Sequence, residues 1–258
     1  MTFDWMVRIV TTYWPMFLRG AEATLVIAII STLIGSGIGL LVGVIRTIPV
    51  PDKGINRFIL KLVNALLAVY IEVFRGTPMM VQATVIFYGS ALAMGVDMNR
   101  WFAAFLIVSV NTGAYMSEIV RGGIISIDKG QFEAAHAIGM NHMQTMLNVV
   151  LPQVIRNILP ATGNEFVINI KDTCVLSVIS VTELFFQTKT VAGNNFRYFE
   201  SYFVCSVMYL IMTISITKIL RVIESKMDGP DSYILLGNQM QVGTPEDMLR
   251  RKQNPSRV

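Results

Sequence analysis

Long apolar runs constrain the fold of this chain more than any other feature of its sequence. The run at 23–45 reads ATLVIAIISTLIGSGIGLLVGVI, and another at 101–117 reads WFAAFLIVSVNTGAYMS. A helix needs roughly 20 apolar residues to cross the hydrocarbon core of a bilayer. Only 15% of the residues are charged, against about a quarter in ordinary soluble domains. The sequence therefore predicts an all-α integral membrane protein.

About five segments are predicted to cross the membrane, at 22–45, 62–94, 100–120, 159–184 and 199–220. The second is too long for one straight span, and Pro78 interrupts it because proline cannot continue the hydrogen-bond ladder of a helix. One broken span and two separate spans both fit this tract. Residues 1–20 mix tryptophan and tyrosine with charges, which predicts a separate interfacial helix. The polar segment at 187–197 is predicted to be an outer loop, and 226–258 a cytoplasmic tail.

Basic residues indicate the orientation of these spans. Most lysines and arginines, including Arg46, Arg57 and Lys61, fall in segments that lie inside if the N-terminus is outside. The positive-inside rule therefore predicts an outer N-terminus and a cytoplasmic C-terminus. The same bias explains the net charge of +4, and no basic stripe interleaved with aromatic residues indicates a nucleic-acid partner.

Glycine, cysteine and histidine are interpreted as structural residues. Gly35, Gly39 and Gly43 lie four residues apart, which predicts a helix face for close packing rather than a nucleotide-binding loop. Both cysteines fall in apolar segments and are predicted to be free thiols. The two histidines are six residues apart, which is not a ligand spacing on one helix face, so no metal site is predicted. The cysteines are Cys174 and Cys205, and the histidines are His136 and His142.

The segment 130–152 interrupts the apolar pattern. Good helix formers are followed by Gly139, which is placed to end a short helix in a left-handed cap. A second apolar-patterned stretch then runs to Pro152. Small alanines beside Glu133 would allow the surface of another protein to approach, although a plain linker between spans explains the composition equally well.

This segment resembles the signature loop of the permease subunits of bacterial ABC importers. Their pattern is E-A-A-x-x-x-G, nine residues, then I-x-L-P. It stands here, with Val149 in place of isoleucine, as Glu133, Ala134, Ala135, Gly139, Leu151 and Pro152. Further stretches are similar to the polar amino acid subfamily of the histidine, glutamine and arginine type, namely 74–82, 114–124, 159–166 and 171–180. The resemblance implies a permease domain at 21–225 with an ATPase-docking loop, also called the coupling-helix loop, at 130–152; we call it the docking loop.

The resemblance also implies a function and partners. The chain would be a multi-pass membrane subunit of an ATP-driven importer of polar amino acids in the plasma membrane of a bacterium. It would form half of the translocation pathway with a second permease subunit, of the same or a related chain. A separate ATPase subunit would dock on the loop, and an extracytoplasmic solute-binding protein would deliver the amino acid. The sequence has no Walker A loop, so ATP and Mg²⁺ are expected on the ATPase subunit and no cofactor or catalytic activity on this chain.

Ionisable groups inside spans are costly and are functional candidates. Two pairs three residues apart are interpreted as scaffold contacts, namely Glu72 with Arg75 and Glu118 with Arg121. The candidates for the substrate pathway are Asn164, Glu165, Lys171 and Asp172. A carboxylate at Glu165 that faces a central cavity would favour the amino group of an amino acid, and a polar contact between helices is an equally weighted alternative.

Two other functions stay open. A membrane-embedded enzyme could use Glu133 and His136, three apart on one helix face, as an acid–base pair, but no nucleophile or second acid accompanies them. A secondary transporter would show an internal repeat, and none is found.

Overall fold

The computed structural model describes residues 2–51 and 53–227, and all regular secondary structure in these residues is helical. The predicted tail at 226–258 lies almost wholly outside them. The α-helices are α1 (Thr2–Ile45), α2 (Ile55–Gly76), α3 (Met79–Met94), α4 (Arg100–Ile125), α5 (Lys129–Ala137), α6 (His142–Thr145), α7 (Leu151–Asp172), α8 (Leu184–Asn195) and α9 (Tyr198–Met227). A π-helical turn over Met146–Val150 precedes α7, and a 3₁₀ helix over Thr173–Ile179 follows it.

The first helix differs from the sequence prediction. The separate helix expected at 1–20 is instead the first half of α1, which runs for 44 residues through Pro15. A helix of this length rises about 66 Å, more than twice the thickness of the hydrocarbon core. Ile9 and Phe17 in its first half are buried against α8 and α9. This half of α1 is therefore an anchored part of the fold.

Three helices are long and apolar enough to cross a membrane among the residues that the structure describes, namely Phe3–Ile45, Arg100–Ile125 and Tyr198–Lys226. The apolar helix α3 has 16 residues and rises only about 24 Å, less than a hydrocarbon core of about 30 Å. Polar and charged residues interrupt the apolar pattern of α2 and α7. The all-helical membrane fold is thus present, while the count of about five spans stays a prediction.

The second apolar tract is divided into two helices at Pro78, with α2 before it and α3 after it. Gln82 donates from Nε2 to the carbonyl oxygens of Phe74 and Thr77, both at 2.9 Å. Asn111 of α4 donates to Gln82 Oε1 at 2.9 Å and to the carbonyl of Phe74 at 3.2 Å. The end of a helix leaves carbonyl groups without helical donors, and these two amides supply donors at the break.

Close packing of α1 on α4 confirms the role predicted for the spaced glycines of α1. A methyl group added at Gly39 would lie 2.8 Å from the carbonyl carbon of Met116, and one added at Gly43 would lie 2.7 Å from Cγ1 of Val120. Carbon atoms do not approach each other this closely without a shift of the backbone. Only glycine permits this separation of the two helices, as is usual where helices approach closely in lipid.

The region after α7 corrects two predictions. The helix expected to continue to 184 ends at Asp172 and becomes a 3₁₀ helix, which Ser180 ends in a left-handed conformation with φ 59°. The loop expected at 187–197 is mostly the helix α8. Glu183 caps this helix by accepting the N–H groups of Phe185 and Phe186, each at 2.7 Å. A carboxylate at a helix N-terminus is favourable because it meets free N–H groups.

Candidate functional site

The docking loop begins with a capped helix. The side chain of Asp128 accepts the N–H of Gly130 at 2.7 Å and so starts α5. At the other end Gly139 adopts φ 84°. Its N–H donates to the carbonyl of His136 at 2.9 Å, and the next N–H, of Met140, donates to that of Ala135 at 3.0 Å. This pair of bonds is a Schellman motif, and it confirms the left-handed cap predicted from the sequence.

A second cap fixes the direction of the chain directly after this glycine. The side chain of Asn141 accepts the N–H of Gln144, and the side chain of Gln144 accepts the N–H of Asn141, both at 2.9 Å. Such a reciprocal capping box satisfies two helix-terminal donors. The turn between α5 and α6 is therefore determined by local hydrogen bonds.

The docking loop exposes part of its signature and buries another part. Glu133, Ala134 and Pro152 are exposed, Leu151 is half-buried and Ala135 is buried. Large apolar side chains join the exposed part, since Ile138 is 80% exposed, Met143 64% and Leu147 56%. We call this surface of the loop the docking surface: Glu133, Ala134, Ile138, Met143 and Leu147. An apolar surface of this kind is typical of a protein–protein contact.

One buried cluster anchors the docking loop to the long helices. Met146 and Val150 of the π-helical turn pack with side chains of α4 and α7, and Phe132 of α5 packs against the same cluster. The other buried members are Met116, Val120, Ile124, Ile127, Val154 and Ile158. The loop is therefore packed directly against α4 and α7, in an interior where side chains have little free space.

The four residues predicted for the substrate pathway differ in burial, although Glu165 and Asp172 lie seven residues apart on one face of α7 and are close enough to interact electrostatically. Glu165 is 7% exposed, whereas Asn164, Lys171 and Asp172 are exposed. Glu165 makes no hydrogen bond or ion pair within the described part of the chain. A buried carboxylate without a partner is costly in a membrane protein, so Glu165 is the member of this set that most resembles a binding group.

Lys171 lines a separate cleft of about 360 Å³ together with both cysteines, which are free thiols as predicted. The remaining lining residues are Phe185, Tyr202, Ser206 and Tyr209. Glu183 lies behind this wall, fully buried, and accepts the hydroxyl of Tyr209 at 3.1 Å. The sequence interpretation missed Glu183 because it was placed inside a continuous span. An acid directly before an apolar helix start was the available signal.

Asn169 is a second buried polar residue that sequence reasoning missed. It is 3% exposed and donates from Nδ2 to Thr32 Oγ1 at 2.8 Å and to Thr112 Oγ1 at 2.9 Å. It thereby joins α7 to α1 and α4. Asn169 stands four residues after Glu165, hence on the same helix face, and this spacing was the signal in the sequence.

The two scaffold pairs behave differently. Arg121 Nη2 lies 3.1 Å from Glu118 Oε2, and Arg46, which the sequence interpretation did not include, donates to the other oxygen of this carboxylate. Glu72 and Arg75 form no ion pair in the described residues. The guanidinium carbon of Arg75 instead lies 5.3 Å from the ring centroid of Tyr115, a cation–π distance.

The described residues contain no group of three or more histidine, cysteine, aspartate or glutamate side chains that could hold a metal ion.

Known sequences include a family that this chain matches and individual relatives of it. Residues 35–229 match the family described as the inner membrane component of binding-protein-dependent transport systems. The glutamine transport system permease protein GlnP of Escherichia coli (strain K12) is 37% identical over 231 residues, covering 88% of this chain and 99% of the relative. The putative glutamine transport system permease protein GlnP of Rickettsia felis is 32% identical, with 87% and 98% covered.

Solved structures give the same result for the fold. A crystal structure of an amino acid ABC transporter with histidines is similar with a TM-score of 0.74 and 34% identity, covering 84% of this chain and 96% of the other. The inward-facing MetNI methionine ABC transporter is similar with a TM-score of 0.68 at 20% identity, covering 85% and 99%. At this lower identity the likeness concerns the fold alone.

Proposed function

The chain belongs to the family of inner membrane components of binding-protein-dependent transport systems, and from this premise we propose how its residues serve transport. It is a multi-pass membrane subunit of an ABC importer of polar amino acids such as glutamine, in the bacterial inner membrane. It works in a complex with ATPase subunits and lacks ATPase activity of its own. In this proposal Glu133 serves assembly with the ATPase subunit rather than acid–base catalysis with His136.

The docking surface, in this proposal, binds the ATPase subunit. The observation that supports it most directly is that Ile138, Met143 and Leu147 are exposed on a loop whose opposite side is packed into α4 and α7. Ala134 has a small side chain that permits close approach, and Glu133 offers a hydrogen-bond acceptor. Closing of the ATPase subunits around ATP would displace this surface and, through the buried cluster, α4 and α7.

The remaining assembly completes the importer. About five spans with an outer N-terminus form half of the pathway, and a second permease subunit forms the other half. A solute-binding protein delivers the amino acid from the outer side. ATP and Mg²⁺ are bound by the ATPase subunit, and this chain binds no cofactor.

Glu165 is proposed to contact the substrate inside the pathway. It is buried on α7 without a protein partner among the described residues, and the amino group of an amino acid would supply the positive charge that stabilises its carboxylate. Asn164, Lys171 and Asp172 are retained as weaker candidates, since they are exposed on or near the same helix.

Co-purification tests the proposed docking. Ala134→Trp puts an indole in the middle of the docking surface, and we expect the ATPase subunit to be lost from the complex purified through this chain. Ala91→Trp is the control, because Ala91 is an exposed helical alanine of α3 outside the docking loop. Retention of the ATPase subunit by the Ala134→Trp complex, at the wild-type ratio, would show that the subunit binds elsewhere.

A further inference from the structure

The last part of the docking loop, directly before α7, contains one wide helical turn. Over Met146–Val150 the chain is π-helical, and the N–H of Leu151 donates to the carbonyl of Met146, five residues earlier. Pro152 gives the physical reason, because in a regular α-helix its ring would press on the carbonyl of Asn148, four residues earlier. A wider turn relieves this contact, and such turns are frequent at functional sites.

The same proline weakens the backbone ladder at this turn. Since Pro152 has no N–H, it can donate neither the α-helical bond to the carbonyl of Asn148 nor the π-helical bond to the carbonyl before it. Two side-chain amides form hydrogen bonds at the weakened turn, one from within it and one from directly after it. Asn148 Nδ2 donates to the carbonyl of Gln144 at 2.9 Å, and Gln153 Nε2 donates to the carbonyl of Val149 at 2.8 Å.

Gln153 makes a second contact that Asn148 does not make. Its Nε2 also lies 3.4 Å from Oε1 of Gln131, a residue of α5. One side chain of α7 thus contacts both the wide turn and the helix that carries Glu133 and Ala134. The carbonyl bond orients the Gln153 amide, and the longer amide–amide bond joins α5 to α7 without passing through α6.

We propose that Gln153 is a positioning residue for transport, which transmits a displacement of α5 to α7 across the π-helical turn. This inference rests on the proposed binding of the ATPase subunit to the docking surface. When the ATPase subunit moves α5, Gln153 makes α7 turn with it rather than letting the wide turn absorb the motion. Glu165 lies about three helical turns further along α7, beyond Pro160, and a rotation at Gln153 that passes this proline would reach Glu165.

The test measures how many substrate molecules are transported for each ATP hydrolysed. The complete complex is reconstituted in proteoliposomes with its binding protein, and glutamine uptake and ATP hydrolysis are recorded together. Gln153→Met keeps the length of the side chain and removes both hydrogen bonds. We expect its ratio of uptake to hydrolysis to fall about twofold, the factor for a hydrogen bond at the weak end of the usual range, because the bond to Gln131 is long and exposed. The ATPase subunit should stay bound.

A rescue variant separates transmission from a merely structural role. The double variant Gln131→Glu with Gln153→Lys provides a carboxylate acceptor and an ammonium donor at the same two positions. We expect it to restore the ratio, whereas Gln131→Met alone should lower the ratio. Asn157→Ala is the control for α7, because Asn157 is an exposed amide on this helix without a side-chain hydrogen bond in the described residues.

Each other outcome overturns one specific statement. An unchanged ratio in Gln153→Met, or equal loss in Gln153→Met and Asn157→Ala, contradicts the positioning role of Gln153. Failure of the double variant to restore the ratio contradicts the link to Gln131. Loss of the ATPase subunit from Gln153→Met would make Gln153 a part of docking and also overturn the inference. Absence of ATP-dependent uptake in the wild-type complex would instead contradict the proposed function itself.

Discussion

At the scale of single residues, the interior of this protein contains polar groups of two kinds. Asn169 has its partners inside the chain, in the hydroxyl groups of Thr32 and Thr112. Glu165 is on the same helix and is also largely buried, with 7% exposed against 3% for Asn169, but it has no such partner among the described residues. A satisfied amide joins helices, whereas an unsatisfied carboxylate is available to a ligand. This contrast makes Glu165 the residue to vary first.

Glu165→Gln is expected to weaken uptake of both glutamine and arginine. If the carboxylate contacts the amino group that all amino acids share, the lost charge-assisted bond should raise the KM of uptake about tenfold or more. The measurement is ATP-dependent uptake into proteoliposomes over a range of substrate concentrations. Glu22→Gln, at an exposed glutamate of α1, is the control for the chemical change.

Two results would change the role of Glu165. A rise in KM for arginine alone would move the contact to the cationic side chain of the substrate. Unchanged uptake of both amino acids would contradict a substrate contact at Glu165.

At the scale of helices, the glycines of α1 determine how closely α4 can pack. Gly39→Val is expected to destabilise the protein by about 1–3 kcal/mol, the usual cost of overpacking a tight interface, because the added atoms would meet the backbone at Met116. The thermal unfolding temperature of the detergent-purified complex measures this effect. Gly37→Val is a matched control on the same helix, since a methyl group added at Gly37 would meet nothing within 4 Å. Equal destabilisation by both variants would attribute the effect to helix propensity instead.

The sequence could predict the features of the fold that have local signals. The spacing of Gly35, Gly39 and Gly43 predicted a close contact, and Gly139 predicted the end of α5. The first follows from the missing side chain of glycine, and the second from the left-handed conformation that glycine adopts at little cost. The function expected for the docking loop came from its resemblance to a known signature. The structure adds that Ala134 is exposed and accessible to a partner, while Ala135 is buried.

Other features depend on contacts between distant segments, so the sequence could not predict them. Residues 2–20 form one helix with the rest of α1, because Ile9 and Phe17 find apolar partners in α8 and α9. The polar composition of 187–197 predicts a loop, whereas these residues mostly belong to the helix α8, which Glu183 caps. The ion pair of Glu118 with Arg46 joins residues 72 positions apart, and no local spacing indicates it.

At the scale of the whole molecule, much of the apolar surface lies on the outside of the chain. Only 6% of the apolar part of α9 is buried inside the chain, and Leu210, Ile211 and Ile214 are exposed. In a membrane such a surface contacts lipid or other transmembrane helices. The chain thus has the properties of one part of a larger assembly. The docking loop lies at the N-terminal end of α7, and the turn before α9 follows the C-terminal end of α7 after the 3₁₀ helix and α8.

The last prediction concerns the side of the membrane on which each end of α7 lies. α7 has 22 residues and rises about 33 Å, enough to cross the hydrocarbon core of about 30 Å. Met143 before α7 and Asn194 in α8 should therefore lie on opposite sides of the membrane. In a background with Cys174→Ala and Cys205→Ala, Asn194→Cys should react with a membrane-impermeant maleimide in intact cells, and Met143→Cys only after permeabilisation.

Uptake by the background variant, at a rate similar to wild type, is the control for correct folding. Reaction of Met143→Cys in intact cells, with Asn194→Cys protected, would reverse the orientation that the basic residues predict. Reaction of both positions from one side would mean that α7 does not span, and would reduce the predicted number of spans. The expected pattern would place the docking surface in the cytoplasm, where the ATPase subunit can bind it, because Met143 is itself part of that surface.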